Sequence, residues 1–93
     1  DVRQMFDIIC ASSGASWIFA DRMARTLADD FEPRAAAHIL TKDVGLATEL
    51  AATVGHAAPM AEAALARFRQ TLQQGWAELD DSAVIKTWTL PPA

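Results

Sequence analysis

Lys42 and Asp43 stand side by side in the stretch TKDVGLATEL, just ahead of Gly45. Nothing in helix-forming chemistry requires a charged pair there, which makes it a candidate site. On a helix, Lys42 has His38, Gly45 and Glu49 as face neighbours, at i−4, i+3 and i+7. That face is distinct from the apolar stripe of Leu40, Val44 and Ala47. Glycine inside a helix costs about 1 kcal/mol relative to alanine, so it generally has a packing reason. Here it leaves a side-chain-free patch that a ligand or another chain can approach. The plainer account is a solvated face with Lys42 contacting Glu49 or His38.

Three other groupings carry chemical potential. Ser12, Ser13 and Ser16 surround Gly14 in SSGAS, which is not the strand–turn–helix elbow of a hydrolase. It reads as a helix break with capping hydroxyls, or as a polar turn whose hydroxyls and amides face a substrate. His38 and His56 lie at opposite ends of a long helix with no second ligand at i+3 or i+4. With Cys10 as the single cysteine, no structural zinc is expected. Asp29–Asp30 and Asp80–Asp81 flank predicted helix starts, where charge complements the macrodipole.

The elements that must position these residues are helices. Val2, Met5, Phe6, Ile9 and Cys10 repeat as one helical face behind a possible Asp1 cap. A second helix is predicted over 15–27, with Ile18, Phe19, Met23 and Leu27 inward. Pro33 leads into a third over 34–54, with Leu40, Val44, Ala47, Ala51 and Val54 inward and Gly55 as its stop. A fourth spans 59–74 with Met60, Ala64, Leu65, Phe68 and Leu72 inward. Asp80 or Asp81 caps a short fifth, SAVIKTW, before Pro91 and Pro92. No alternating run or Asn-Gly hairpin is present, so the fold class is all-α, about five helices. Trp17, Trp76 and Trp88 are expected to anchor the core or an interface.

The chain has 93 residues, 52% of them apolar, and a net charge of −4. That length allows one small domain with a modest core. The acidic balance argues against nucleic acid and against an anionic membrane surface as partners. No apolar run approaches the roughly 20 residues of a membrane span. One cysteine points to a cytoplasmic setting. The start at Asp1, without methionine, suggests a processed or excised piece.

Five segments in order, SSGASW (12–17), FEP (31–33), TKDVGLA (41–47), APMAEAAL (58–65) and DDSAVIKTW (80–88), resemble the C-terminal helical domain of the β-hydroxyacid dehydrogenases. PRAA after FE, and DDSAVIK, look most like that family's L-threonate dehydrogenase branch. The resemblance implies an all-α domain of the 6-phosphogluconate dehydrogenase-like type, covering residues 1–93. It implies an N-terminal Rossmann domain as partner, NAD or NADP as cofactor, a small 3-hydroxy acid as substrate, and a homo-oligomer. Lys42 would sit at the nicotinamide end of the cofactor. Phe31, Ser13, Gly14 and Asp43 would line the substrate cleft. Ala35 stands where some members carry a second aromatic, which leaves substrate identity open.

Two family signatures are absent. The catalytic lysine belongs to a GxxGxGxxxKxxxN helix, and the dinucleotide fingerprint is GxGxxG after a strand; neither occurs here. No catalytic role is therefore assigned to Lys42 or Lys86. Alone, the chain would supply one wall of a cleft and be inactive. The alternative is a non-catalytic helical dimerisation module that keeps the fold without the chemistry.

Overall fold

A computed structural model describes residues 1–89, so Pro91 and Pro92 lie outside the described residues. The described residues form five α-helices, α1 (Val2–Cys10), α2 (Trp17–Leu27), α3 (Ala37–Thr53), α4 (Pro59–Gln73) and α5 (Lys86–Thr89). A 3-10 turn, Asp81–Ile85, precedes α5. The all-α expectation holds. The chain forms two compact units, Asp1–Phe31 and the part from Glu32 on.

In the first unit each helix start is satisfied by a side chain. The Asp1 carboxylate accepts from the N–H groups of Arg3 (2.8 Å) and Gln4 (3.2 Å). The Ser16 hydroxyl accepts from Phe19 N–H at 3.0 Å and sets α2 to begin at Trp17. The two helices pack through Phe6 and Phe19, whose rings stack with centroids 5.8 Å apart. On α2, hydrogen bonds from Arg22 and then Arg25 hold the Asp21 carboxyl below its usual pKa.

Three helices end alike. After α2, α3 and α4 the chain enters the left-handed region, at Asp29 (φ 56°), Gly55 (φ 70°) and Gly75 (φ 90°). In each case the next N–H reaches back to a carbonyl five residues earlier: Asp30 to Arg25, His56 to Ala51, Trp76 to Thr71. These are Schellman caps. Asp29 is thus a helix stop, not the N-terminal charge expected for it.

In the second unit, α3 begins at Ala37 and not at Arg34. Residues 35 and 36 are taken by a clasp. Ala36 and Asp80 form an isolated antiparallel bridge, and Asp81 N–H donates to Ala35 C=O at 2.8 Å. The first N–H groups of α3 then find carbonyls from the same returning loop, Ala37 to Leu79 (2.8 Å) and His38 to Ala77 (3.1 Å). No side chain caps α3, because tertiary backbone contacts do so. Asp80 holds the clasp. It is 0% exposed and accepts from Arg34 N–H (3.0 Å), Ser82 N–H (3.2 Å) and the Ser82 hydroxyl (2.6 Å).

α3 packs on α4, and both contact the 3-10 turn. The buried side of α3 carries Ala37 and Thr41, with Val44, Thr48 and Ala51 half-buried along the same face. The sequence-predicted stripe is rotated from this: Ala47 and Val54 are exposed, Val54 at 71%. The cause is that α3 meets its neighbours through small residues. Thr41 is tolerated inside because its hydroxyl donates to Ala37 C=O at 2.8 Å, and Thr71 of α4 does the same to Arg67 C=O at 2.9 Å. Met60, expected inward, is 86% exposed at the start of α4, whereas Leu65 is buried as expected. Trp88 is 59% exposed, but the Arg67 guanidinium lies 4.3 Å from its ring centroid; Lys86 Nζ lies 5.1 Å from that of Trp76.

Two stability predictions follow from this geometry. Asp80→Ala strips three donors of a buried charged acceptor and should cost roughly 2–4 kcal/mol. Urea unfolding of the 93-residue chain reads this as a large fall in midpoint; a shift no greater than that of a surface substitution would deny Asp80 its place in the clasp. Asp29→Gly removes a left-handed non-glycine residue and a negative charge at a helix C-terminus, and should stabilise by roughly 0.5–1 kcal/mol in the same assay.

Candidate functional site

Consecutive helical residues point about 100° apart, so Lys42 and Asp43 leave α3 in different directions. Both are exposed. Between them, on the side away from α4, runs a stripe of apolar residues exposed to solvent: Ile39 (43%), Leu46 (57%) and Leu50 (66%). α3 is therefore apolar on two opposite sides. The helix-spaced trio Ile39, Leu46 and Leu50 was visible in the sequence, but the competing Leu40–Val44–Ala47 stripe masked it.

Lys42 contacts neither Glu49 nor His38. Instead, His38 Nε2 lies 3.6 Å from Glu78 Oε1. Among the described residues, Lys42 has no hydrogen-bond or ion-pair partner. Gly45, one turn further on, has helical backbone, and a Cβ built on it meets no atom within 4 Å. α3 therefore shows the solvated face expected for Lys42, without the pairing to Glu49 or His38.

Ser13, Gly14 and Phe31 belong to the first unit, and Lys42 and Asp43 to the second. The 11–16 turn divides its serines by role. Ser12 Oγ donates to Ile9 C=O at 2.7 Å and accepts from Gly14 N–H at 3.2 Å. Ser16 caps α2. Ser13 is exposed, and its hydroxyl has no partner among the described residues. Gly14 needs neither a left-handed backbone nor an unusual approach, since a Cβ there would sit an ordinary 3.5 Å from Ser12 Oγ. Phe31 is half-buried. No group of three or more His, Cys, Asp or Glu side chains among the described residues is placed to hold a metal ion. No helix there is long and apolar enough to cross a membrane.

A family model described as the NAD-binding domain of NADP-dependent 3-hydroxyisobutyrate dehydrogenase matches residues 1–88. The chain belongs to this 3-hydroxyisobutyrate dehydrogenase family. Within the family it is similar to L-threonate dehydrogenase of Escherichia coli K12, with 37% identity over 96% of this chain and 30% of that one. L-threonate dehydrogenase of Pectobacterium atrosepticum is likewise 37% identical, over 94% of this chain and 30% of its own length. In three dimensions it superposes on a crystal structure of 3-hydroxyisobutyrate dehydrogenase from Salmonella typhimurium with a TM-score of 0.90 at 36% identity, covering 92% of this chain and 30% of that one. The chain thus spans about 30% of the length of the relatives it matches.

If Lys42 has no structural partner, removing its ammonium should leave the fold unaffected. Lys42→Ala should change the unfolding free energy of the 93-residue chain by less than about 0.5 kcal/mol. A loss well above that in chemical denaturation would make Lys42 a structural residue.

Proposed function

We propose that this chain is the substrate-side helical domain of an NAD(P)-dependent dehydrogenase acting on a small hydroxy acid of the 3-hydroxyisobutyrate or L-threonate type. Its dinucleotide-binding Rossmann domain then corresponds to the remaining length of the relatives. The observation that carries this reading is the outer side of α3, where a lysine without a partner among the described residues stands beside a bare glycine and exposed Ile39, Leu46 and Leu50. A free-standing helix gains nothing from such a side. Burying one leucine of this kind is worth roughly 1.5–3 kcal/mol, which favours a covering partner.

When bound, the nicotinamide cofactor would supply the hydride acceptor, and Lys42 is the residue of this chain that would help hold it. The residues of this chain bind and orient. The Lys42 ammonium pairs with an anionic group, a cofactor phosphate or the substrate carboxylate. In the first unit, the family resemblance assigns Ser13, Gly14 and Phe31 to substrate contact. In the second, Asp43 borders the outer side of α3 beyond Leu46. The hydroxyl proton leaves to a base that this chain does not supply, so the domain alone is inactive.

The exposed apolar side of α1, Val2 (69%), Met5 (61%) and Ile8 (63%), supports a second contact surface, used for homo-oligomer assembly. The same surface would serve the alternative reading of a non-catalytic dimerisation module. The acidic charge and single cysteine support a cytoplasmic enzyme with no nucleic-acid or membrane partner.

The longer enzyme carrying this domain should reduce NAD or NADP in the presence of L-threonate or 3-hydroxyisobutyrate. Its Lys42→Ala variant should lose roughly 10- to 100-fold in kcat/KM, the worth of one desolvated charge-assisted hydrogen bond. Unchanged steady-state kinetics in that variant would remove Lys42 from the cleft.

A further inference from the structure

Lys42 sits in the second turn of α3, one turn after His38, and the turn below it is tied to the returning loop. Ala37 and His38 donate their N–H groups to the carbonyls of Leu79 (2.8 Å) and Ala77 (3.1 Å). His38 Nε2 also lies 3.6 Å from Glu78 Oε1. Thr41, next to Lys42 in the chain, is buried and donates its hydroxyl back to Ala37 C=O at 2.8 Å. The opening N–H groups of a helix need partners from outside it. α3 has no side-chain cap, so its first turn depends on the loop for them.

The loop is held in turn by Asp80, which is fully buried. Its Oδ1 accepts from Arg34 N–H at 3.0 Å, on the chain entering α3. Its Oδ2 accepts from Ser82 N–H (3.2 Å) and the Ser82 hydroxyl (2.6 Å), on the returning segment. One carboxylate thus joins two segments, with one oxygen for each. An asparagine amide has the same shape but a single acceptor atom, so its NH2 would meet the Ser82 N–H donor against donor.

We propose that Asp80 is a positioning residue for the dehydrogenase reaction: it acts through Lys42, by fixing the helix start from which that ammonium projects. This rests on the dehydrogenase reading above. Misplacing a binding group by about 1 Å can cost about 100-fold in rate, even from a substitution far from the chemistry. Loosening the clasp therefore lowers turnover in enzyme that is still folded, in addition to lowering stability.

The test is Asp80→Asn in the longer enzyme, alone and combined with Lys42→Ala. Rates are taken well below each variant's melting temperature and referred to folded enzyme by circular dichroism. With Lys42 present, Asp80→Asn should lower kcat/KM about tenfold; with Lys42→Ala already made, it should lower it by less than about twofold. Amide exchange over residues 37–42 should also rise more than exchange over 59–73. Equal losses in the two backgrounds would show a purely structural effect and overturn the inference. So would full activity in Asp80→Asn, or unaltered exchange over 37–42. If Asp80→Asn does not fold, Ser82→Ala, which removes only the hydroxyl donor, is put through the same cycle and judged by the same criteria. A wild type that oxidises neither L-threonate nor 3-hydroxyisobutyrate, or a Lys42→Ala enzyme with wild-type kinetics, overturns the dehydrogenase reading of α3 and this inference with it.

Discussion

The carboxylate of Asp80 is the constraint on which the second unit depends. It is fully buried, and three donors from two chain segments converge on it. A buried carboxylate is tolerable only when its oxygens are satisfied. Here the satisfying groups come from Arg34, which precedes α3, and from Ser82, inside the 3-10 turn. The charge cannot be accommodated unless the returning loop lies against the entry to α3. Once it does, the carbonyls of Ala77 and Leu79 are in place to accept from the first turn of that helix. One buried group thereby fixes where α3 starts, and the start fixes which residues each face of α3 presents.

That phase decides the candidate site. With Ala37 as the first residue, the small side chains of Ala37, Thr41 and Ala51 fall on the packed side, while Lys42, Leu46 and Leu50 fall opposite. Small residues let helices approach closely, and threonine joins them because its hydroxyl folds back on the preceding turn. The larger apolar residues are left outside. A two-sided helix of this kind makes sense as a layer between its own domain and a second body, which is the arrangement proposed for the dehydrogenase cleft. The relatives, more than three times as long as the region they share with this chain, have the length to supply that body.

Much of this architecture is legible in the residues. Helix ends are local events: Asp1 and Ser16 cap, Gly55 and Gly75 stop, and Pro59 opens α4, each through its own backbone preference or a hydrogen bond within a few residues. Asp29 was harder to read, because an aspartate near a helix suggests an N-terminal charge and only occasionally a left-handed stop. That Lys42 has no partner among the described residues was also hidden. Its face neighbours His38 and Glu49 were plausible partners by spacing, yet His38 lies against Glu78, a residue far along the chain.

The sequence by itself determined the all-α class, the order of the helices, the family, and the identity of Lys42 and Gly45 as residues without an evident structural purpose, because helical periodicity, capping and short motifs act over a few residues. Only the tertiary structure decided where α3 begins and which of its two apolar stripes is covered. Those outcomes depend on Asp80 meeting Arg34 across 46 positions of chain, and no local propensity encodes a contact of that range.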